Sequence, residues 1–157
     1  MENIHPFKIT HDQTNTLDHS ERQFRIKQWN KELPVKEKLH YRSPKLYTDA
    51  NCLKCGRVET TTHPFTCPIQ IETTRNQIIQ IYNEEISARY NHKQSITIFN
   101  ELTQVVHSWS DTTLTAISSG IIIKDIIKIV TKYVDQNQID TCIHNSQNRF
   151  YQYLRIT

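Results

Sequence analysis

The chain has 157 residues, of which 36% are hydrophobic and 22% are charged, with 19 Lys and Arg against 16 Asp and Glu. This length suits one compact domain or a small module with extensions, and it is too short for a complete polymerase. The 2 glycines are too few for a phosphate-binding loop or a dinucleotide-binding fingerprint, which need several glycines at fixed spacing. These figures exclude a complete replicative enzyme and the usual chemistry of ATP, GTP and NAD.

The N-terminal residues have no apolar run of the length that a signal peptide needs, and they include acidic residues that transit peptides avoid. The most apolar stretch, residues 121–134, contains four charged residues and falls short of the roughly 18–20 apolar residues that span a bilayer. We therefore expect an intracellular protein, nuclear or cytoplasmic, with no membrane span. In such a compartment a tight cysteine cluster indicates a metal site rather than disulfides.

The N-terminal part of the chain changes character at Ser20. Residues 1–19 are polar and show no helical or strand periodicity, which predicts a disordered tail. From Ser20 a short amphipathic helix is predicted, ended by Pro34, and Pro34 begins a second short helix that runs to Arg42. The β-branched residues 58–62 favour a short strand.

Beyond residue 68 the apolar residues recur at helical spacing. They predict a helix of about twenty residues from Ile71, a second helix over 98–109, and a last helix over 139–154. Between these, a single long helix is predicted from Asp111, as its N-cap, to Tyr133.

The spacing C-x2-C-x7-H-x3-C is typical of a zinc knuckle, and its four candidate ligands are Cys52, Cys55, His63 and Cys67. Two thiolates separated by two residues can turn toward one ion, and Gly56 supplies the backbone freedom for that turn. Four nitrogen and sulfur ligands close a tetrahedral shell around one structural Zn²⁺ and leave no position for a catalytic water.

Two further features bear on the cysteines. Pro68 follows Cys67 directly, which predicts that Cys67 lies near the N-cap of the next helix. The remaining cysteine, Cys142, is predicted to be a packed, inert thiol on the last helix. The alternative for the cluster is two surface cysteines, one buried cysteine and an ordinary histidine.

The positive charge is concentrated in residues 21–58, which hold ten Lys and Arg against four Asp and Glu. Six of these cations lie beside or within the zinc knuckle and are candidates for contacting nucleic acid: Lys36, Lys38, Arg42, Lys45, Lys54 and Arg57. Tyr41, Tyr47 and Phe65 are interleaved with them and could stack on bases. The alternative is that the lysines form a solvated helix face and the aromatic residues belong to the core.

Taken together, the segments LPVKEKLHYR, CLKCGRVETTTH and FTCP resemble the reverse transcriptase zinc-binding domain found toward the C-terminal end of non-LTR retroelement polyproteins. The residues that carry the resemblance are Leu33, Pro34, Lys36, Leu39, Cys52, Cys55, Gly56, Glu59, Thr60, His63, Cys67 and Pro68. The resemblance covers residues 29–68 and implies nucleic-acid binding in support of reverse transcription. The pair of aspartates of a reverse transcriptase and the dispersed carboxylates of an RNase H fold are absent from the sequence, as expected of a zinc module detached from its polymerase.

The predicted fold is mainly α, with a Cys3His zinc knuckle between a short basic helical part and a C-terminal helical bundle. Its predicted parts are a disordered tail (1–19), basic helices with the zinc module (20–68), and a helical region of unknown role (69–157). The first function hypothesis is a non-catalytic module that binds RNA or DNA with low sequence specificity. The alternative is a zinc-stabilised protein-interaction or structural module that docks a partner through its C-terminal helices, or a non-functional retroelement remnant. We expect no enzyme, because the acidic residues are scattered. We also expect no membrane association and no small-molecule substrate.

Overall fold

The structure, a computed structural model, describes residues 16–90 and 95–156. Within these ranges the chain is mainly helical, as predicted, with eight α-helices and one short 3-10 helix. The chain divides into two compact units, and the boundary lies between Glu72 and Thr73.

The N-terminal unit contains three helices: α1 (Thr16–Trp29), α2 (Lys36–Arg42) and α3 (His63–Thr66). Helix α1 begins four residues before Ser20, so that the described part of the predicted tail is helical, and residues 1–15 lie outside the described residues. It also ends well before Pro34, because Lys31 adopts the left-handed conformation (φ 54°) in which helices commonly terminate.

The strand predicted over residues 58–62 is wrong in extent. A single antiparallel bridge joins Asn51 to Val58, and the Glu59 N–H donates to the Ala50 carbonyl at 2.8 Å. We call residues 50–59 the ligand hairpin. The pairing stops there because the chain turns into α3, where the His63 N–H donates to the Thr60 carbonyl at 3.1 Å.

The N-terminal unit has a small apolar core. Of its described side chains, the buried hydrophobic ones other than cysteine are Leu33, Val35 and Phe65. So few buried side chains offset little of the entropy lost on folding, and small domains of this kind usually need a metal ion or disulfides.

The C-terminal unit is a helical bundle, as predicted. Its helices are α4 (Ile71–Ser87), which starts at the end of the first unit, α5 (Ser95–His107), α6 (Asp111–Ser118), α7 (Lys124–Tyr133) and α8 (Ile139–Ile156), with the 3-10 helix Gln136–Gln138 before α8. Helix α7 packs on α5 and α8, and α6 packs on α8. The most deeply buried side chains of this core include Ile78, Ile79, Tyr82, Ile86, Ile98, Leu102, Val106, Leu114, Ile117, Ile126 and Phe150.

The single long helix predicted from Asp111 to Tyr133 is two helices, α6 and α7. Gly120 (φ 88°) lies between them in a conformation that residues with a side chain rarely adopt. The N-cap of α6 is Ser110 rather than Asp111, since the Ser110 hydroxyl oxygen accepts the Thr113 N–H at 3.3 Å.

The apolar stretch 121–134 is amphipathic in the structure. Ile126, Ile129, Val130 and Tyr133 of α7 are buried in the C-terminal unit, whereas its lysines are exposed. None of the helices in the described ranges combines the length and apolarity that crossing a membrane requires.

Adjacent carboxylates on α4, Glu84 and Glu85, join α4 to α8. Arg149 of α8 pairs with Glu84 at 2.5 Å and with Glu85 at 3.1 Å, and Arg89 pairs with Glu85 at 2.7 Å. The two carboxylates are therefore part of an ion-pair network.

Candidate metal centre

The ligand hairpin positions Cys52 and Cys55. The Cys52 N–H donates to the Arg57 carbonyl at 2.7 Å, and the Gly56 N–H donates to the Cys52 carbonyl at 2.9 Å. Gly56 has a φ of 73°, which is the left-handed conformation that the sequence predicts for this tight turn. The turn therefore brings both thiols to one side of the hairpin.

Helix α3 and the residue after it supply the other two ligands. His63 is the first residue of α3 and Cys67 directly follows its last residue, so the two are four positions apart and lie on the same face. Cys67 lies near the start of α4, as predicted, but one turn before it, because Pro68 begins a turn and α4 starts at Ile71. The Cys67 carbonyl accepts the N–H groups of Gln70 and Ile71 at 2.8 Å each.

The four predicted ligands come together. One ligand atom from each of Cys52, Cys55, His63 and Cys67 lies within 4.8 Å of all the others, and the Cys55 Sγ is 3.2 Å from the His63 Nε2. Zinc–sulfur bonds of about 2.3 Å in a tetrahedron place ligand atoms about 3.8 Å apart. This Cys3His group can therefore hold a metal ion.

Burial and charge in the cluster favour a bound cation. Cys52, His63 and Cys67 are buried and Cys55 is half-buried. Burial raises the pKa of the Cys52 thiol, but the N–H groups of Cys55 and Lys54 outweigh burial and lower this pKa to about 6. The Lys54 N–H lies 3.4 Å from the Cys52 Sγ.

The pKa of Cys55 is raised although the Arg57 N–H acts to lower it, because burial and the neighbouring thiols of Cys67 and Cys52 oppose a second negative charge. Thiolates packed this closely repel one another unless a cation lies between them. A cation among these side chains would relieve that repulsion.

Glu59 has a structural role that spacing alone does not predict. Its carboxylate oxygen accepts the Lys36 N–H at 3.2 Å, and its carbonyl accepts the Glu37 N–H at 3.3 Å. Val35, the N-cap of α2, offers no side-chain hydrogen bond. Glu59 therefore caps α2 and fastens it to the ligand hairpin. In the sequence, Glu59 was singled out only as part of the Glu-Thr pair that contributes to the family resemblance.

The six candidate nucleic-acid contacts divide into two sets. Three of them form ion pairs: Lys36 with Asp49 at 3.7 Å, Lys38 with Glu32 at 3.8 Å, and Arg42 with Glu32 at 3.3 Å. The side chains of Lys45, Lys54 and Arg57 are exposed and form no ion pair with another described residue. The second set is thus the more available for phosphate groups.

The three candidate stacking residues also differ. Tyr41 is 88% exposed, whereas Phe65 is 3% exposed and belongs to the core. Tyr47 is half-buried, and its carbonyl oxygen is 2.6 Å from the His40 Nδ1. Phe65 is therefore excluded as a stacking surface, and Tyr41 is the best placed of the three.

Cys142 lies in the other unit and takes no part in this cluster. It is buried on α8, and burial raises the pKa of its thiol to about 11. A neutral, enclosed thiol of this kind is unreactive, as the sequence predicts.

No protein family model, curated protein or solved structure matches this chain.

Proposed function

We propose that the N-terminal unit is a non-catalytic zinc module that binds nucleic acid, related to the reverse transcriptase zinc-binding family. The observation that carries the proposal is the Cys3His group together with three exposed cations, on or near its ligand hairpin, that form no ion pair with any residue of the described ranges. Three thiols and one imidazole form the usual ligand set of structural zinc, and a filled tetrahedron leaves no position for a reacting group.

The kinship with that family is supported by how the motif residues relate in space. Leu33 is buried, Lys36 donates its N–H to Glu59, and Glu59 belongs to the hairpin that carries two ligands. Two pieces of the resemblance, α2 and the ligand hairpin, are thus joined by a hydrogen bond. If the chain descends from such a module, we expect it to have kept those motif residues that act together in the structure.

Nucleic-acid binding by this unit rests on Lys45, Lys54 and Arg57. Each phosphate that a lysine or arginine neutralises releases counterions, so binding of this kind weakens steeply with salt and has little sequence preference. The paired cations on α2 can add to it, since exposed ion pairs contribute only about 0–1 kcal/mol and exchange partners readily.

The test is fluorescence anisotropy of zinc-loaded full-length protein with a labelled 20-nucleotide RNA or DNA at several salt concentrations. The Lys45→Gln/Lys54→Gln variant is compared with Lys124→Gln/Lys128→Gln, which removes the same charge from the C-terminal unit. If both hairpin-side lysines contact phosphates, the first variant reduces the slope of log K against log salt by about 1.4 for a single strand, and the control does not. Equal effects of the two variants, or binding that does not depend on salt, would refute the proposal.

A further inference from the structure

Exposed apolar side chains are frequent in the segment that leads into the metal group and includes its first two ligands. Tyr41, Leu46 and Leu53 are 88%, 75% and 87% exposed, and Val58 is also exposed. Single exposed apolar residues need no explanation. Four within residues 41–58 are unusual in a unit with so small a core, and we call the exposed side chains of this segment the knuckle surface.

Leu53 lies in a hydrogen-bonded turn of the ligand hairpin, with its side chain exposed. It lies between Cys52 and Lys54 in the turn that the Gly56 N–H closes on the Cys52 carbonyl, and the Lys54 N–H donates to the Cys52 Sγ. A metal ion on Cys52 and Cys55 would fix both ends of this turn. An apolar side chain presented by a fixed backbone loses little conformational entropy on binding, which favours its use as an anchor.

The positive charge of the same segment favours a negatively charged partner. Residues 41–58 contain four cations and a single carboxylate, Asp49, and that carboxylate is paired with Lys36. Lys45 directly precedes Leu46, and Lys54 directly follows Leu53, so each lysine is adjacent in sequence to an exposed leucine. The knuckle surface therefore offers phosphate contacts and apolar contacts side by side.

A duplex could make the phosphate contacts but not the apolar ones, because its bases are stacked on one another and its outer surface is phosphate and sugar. A single strand exposes base faces, which pack on aromatic and apolar side chains while cations follow the backbone. Resting on the nucleic-acid binding proposed above, we propose that the knuckle surface binds single-stranded nucleic acid, with unpaired bases against Tyr41 and Leu53 and phosphates on Lys45, Lys54 and Arg57.

The experiment measures anisotropy of zinc-loaded full-length protein with one labelled 20-nucleotide strand, alone and annealed to its complement. The variants are Tyr41→Ser and Leu53→Ser, with Tyr41→Phe to retain the ring. The matched control is Ile96→Ser, which removes an apolar side chain of similar exposure (79%) from the C-terminal unit. Metal content and circular dichroism of each variant establish that it is folded.

We expect tighter binding to the single strand than to the duplex. We also expect a loss on the order of tenfold for the single strand in Tyr41→Ser and in Leu53→Ser, with no loss in Tyr41→Phe or Ile96→Ser. Equal affinity for both forms, with no effect of the serine variants, overturns this inference and leaves phosphate-based binding standing. Binding to neither form overturns the proposed function as well, and would leave the knuckle surface as a site for protein.

Discussion

Glu101 on α5 is the clearest single-residue contact between two helices of the C-terminal unit. Its carboxylate accepts from the Lys132 ammonium at 2.5 Å and from the Tyr133 hydroxyl at 2.7 Å, both on α7. These two hydrogen bonds hold the pKa of Glu101 below its ordinary value of 4.5, and the bond from Lys132 has the larger effect. A carboxylate with a lowered pKa stabilises the folded state above its unfolded pKa, and this stabilisation is lost as the pH falls through the folded value.

We therefore predict that Glu101→Gln weakens the protein at pH 7 by about 1 kcal/mol and makes acid unfolding less steep below about pH 4.5. The glutamine oxygen can still accept the Tyr133 hydroxyl, so the change isolates the charge. Urea unfolding of variant and wild type from pH 7 to pH 3 measures it. A difference in stability that stays constant over this range would contradict the assignment.

At the scale of the element, α2 depends on the ligand hairpin for its N-terminal cap. Glu59→Ala removes the acceptor of the Lys36 N–H and should cost about 1 kcal/mol, the usual loss for a helix cap. Glu59→Gln keeps an acceptor oxygen and should cost less. Hydrogen exchange at Lys36 and Leu39 measures the effect, with faster exchange expected in the alanine variant. Equal exchange in the two variants would mean that Glu59 does not cap α2.

Gly120 separates α6 from α7. Two features of this position disfavour a side chain, and their effects can be measured separately. Its φ of 88° disfavours any side chain, and a Cβ there would overlap the Tyr151 hydroxyl. Gly120→Ala should cost roughly 1–2 kcal/mol for the backbone alone and more because of the overlap. The same change in a Tyr151→Phe background should cost less, as thermal unfolding would measure. A stabilising effect of Gly120→Ala would indicate one continuous helix.

Helical periodicity predicted the helices of the bundle because one face of each is buried, and the errors arose where a single residue overrides that period. Gly120 divides a continuous apolar pattern, Ser110 caps α6 in place of its neighbour, and Pro68 starts a turn instead of a helix. The clustering of Cys52, Cys55, His63 and Cys67 was predicted because the spacing of metal ligands along a chain reflects the geometry around an ion. The cap from Glu59 to α2 joins residues 23 positions apart, and local patterns do not encode such a contact.

At the scale of the whole molecule, the two units differ in what stabilises them. The C-terminal unit has a large apolar core, whereas the N-terminal unit buries few apolar side chains besides its cysteines. Structural zinc contributes on the order of 10 kcal/mol to the folding of small metal-bound peptides. The N-terminal unit is therefore expected to depend on the metal ion and the C-terminal unit on its own packing.

We predict that a strong zinc chelator abolishes hydrogen-exchange protection in α2 and the ligand hairpin and leaves α7 and α8 protected. Mass-spectrometric hydrogen exchange with and without chelator measures both units in one sample. Adding zinc back should restore protection. Uniform loss over both units would show that the chain folds as one metal-dependent body, and no loss would show that the metal does not support the fold.

The most direct test of the account is the zinc content of the full chain, purified without a histidine tag and measured by elemental analysis. Cys52→Ser is the test variant, and Cys142→Ser is the control because Cys142 is a buried cysteine outside the cluster. We predict one zinc per chain in the wild type and in Cys142→Ser, and little or none in Cys52→Ser. No zinc in the wild type, or undiminished zinc in Cys52→Ser, would contradict it.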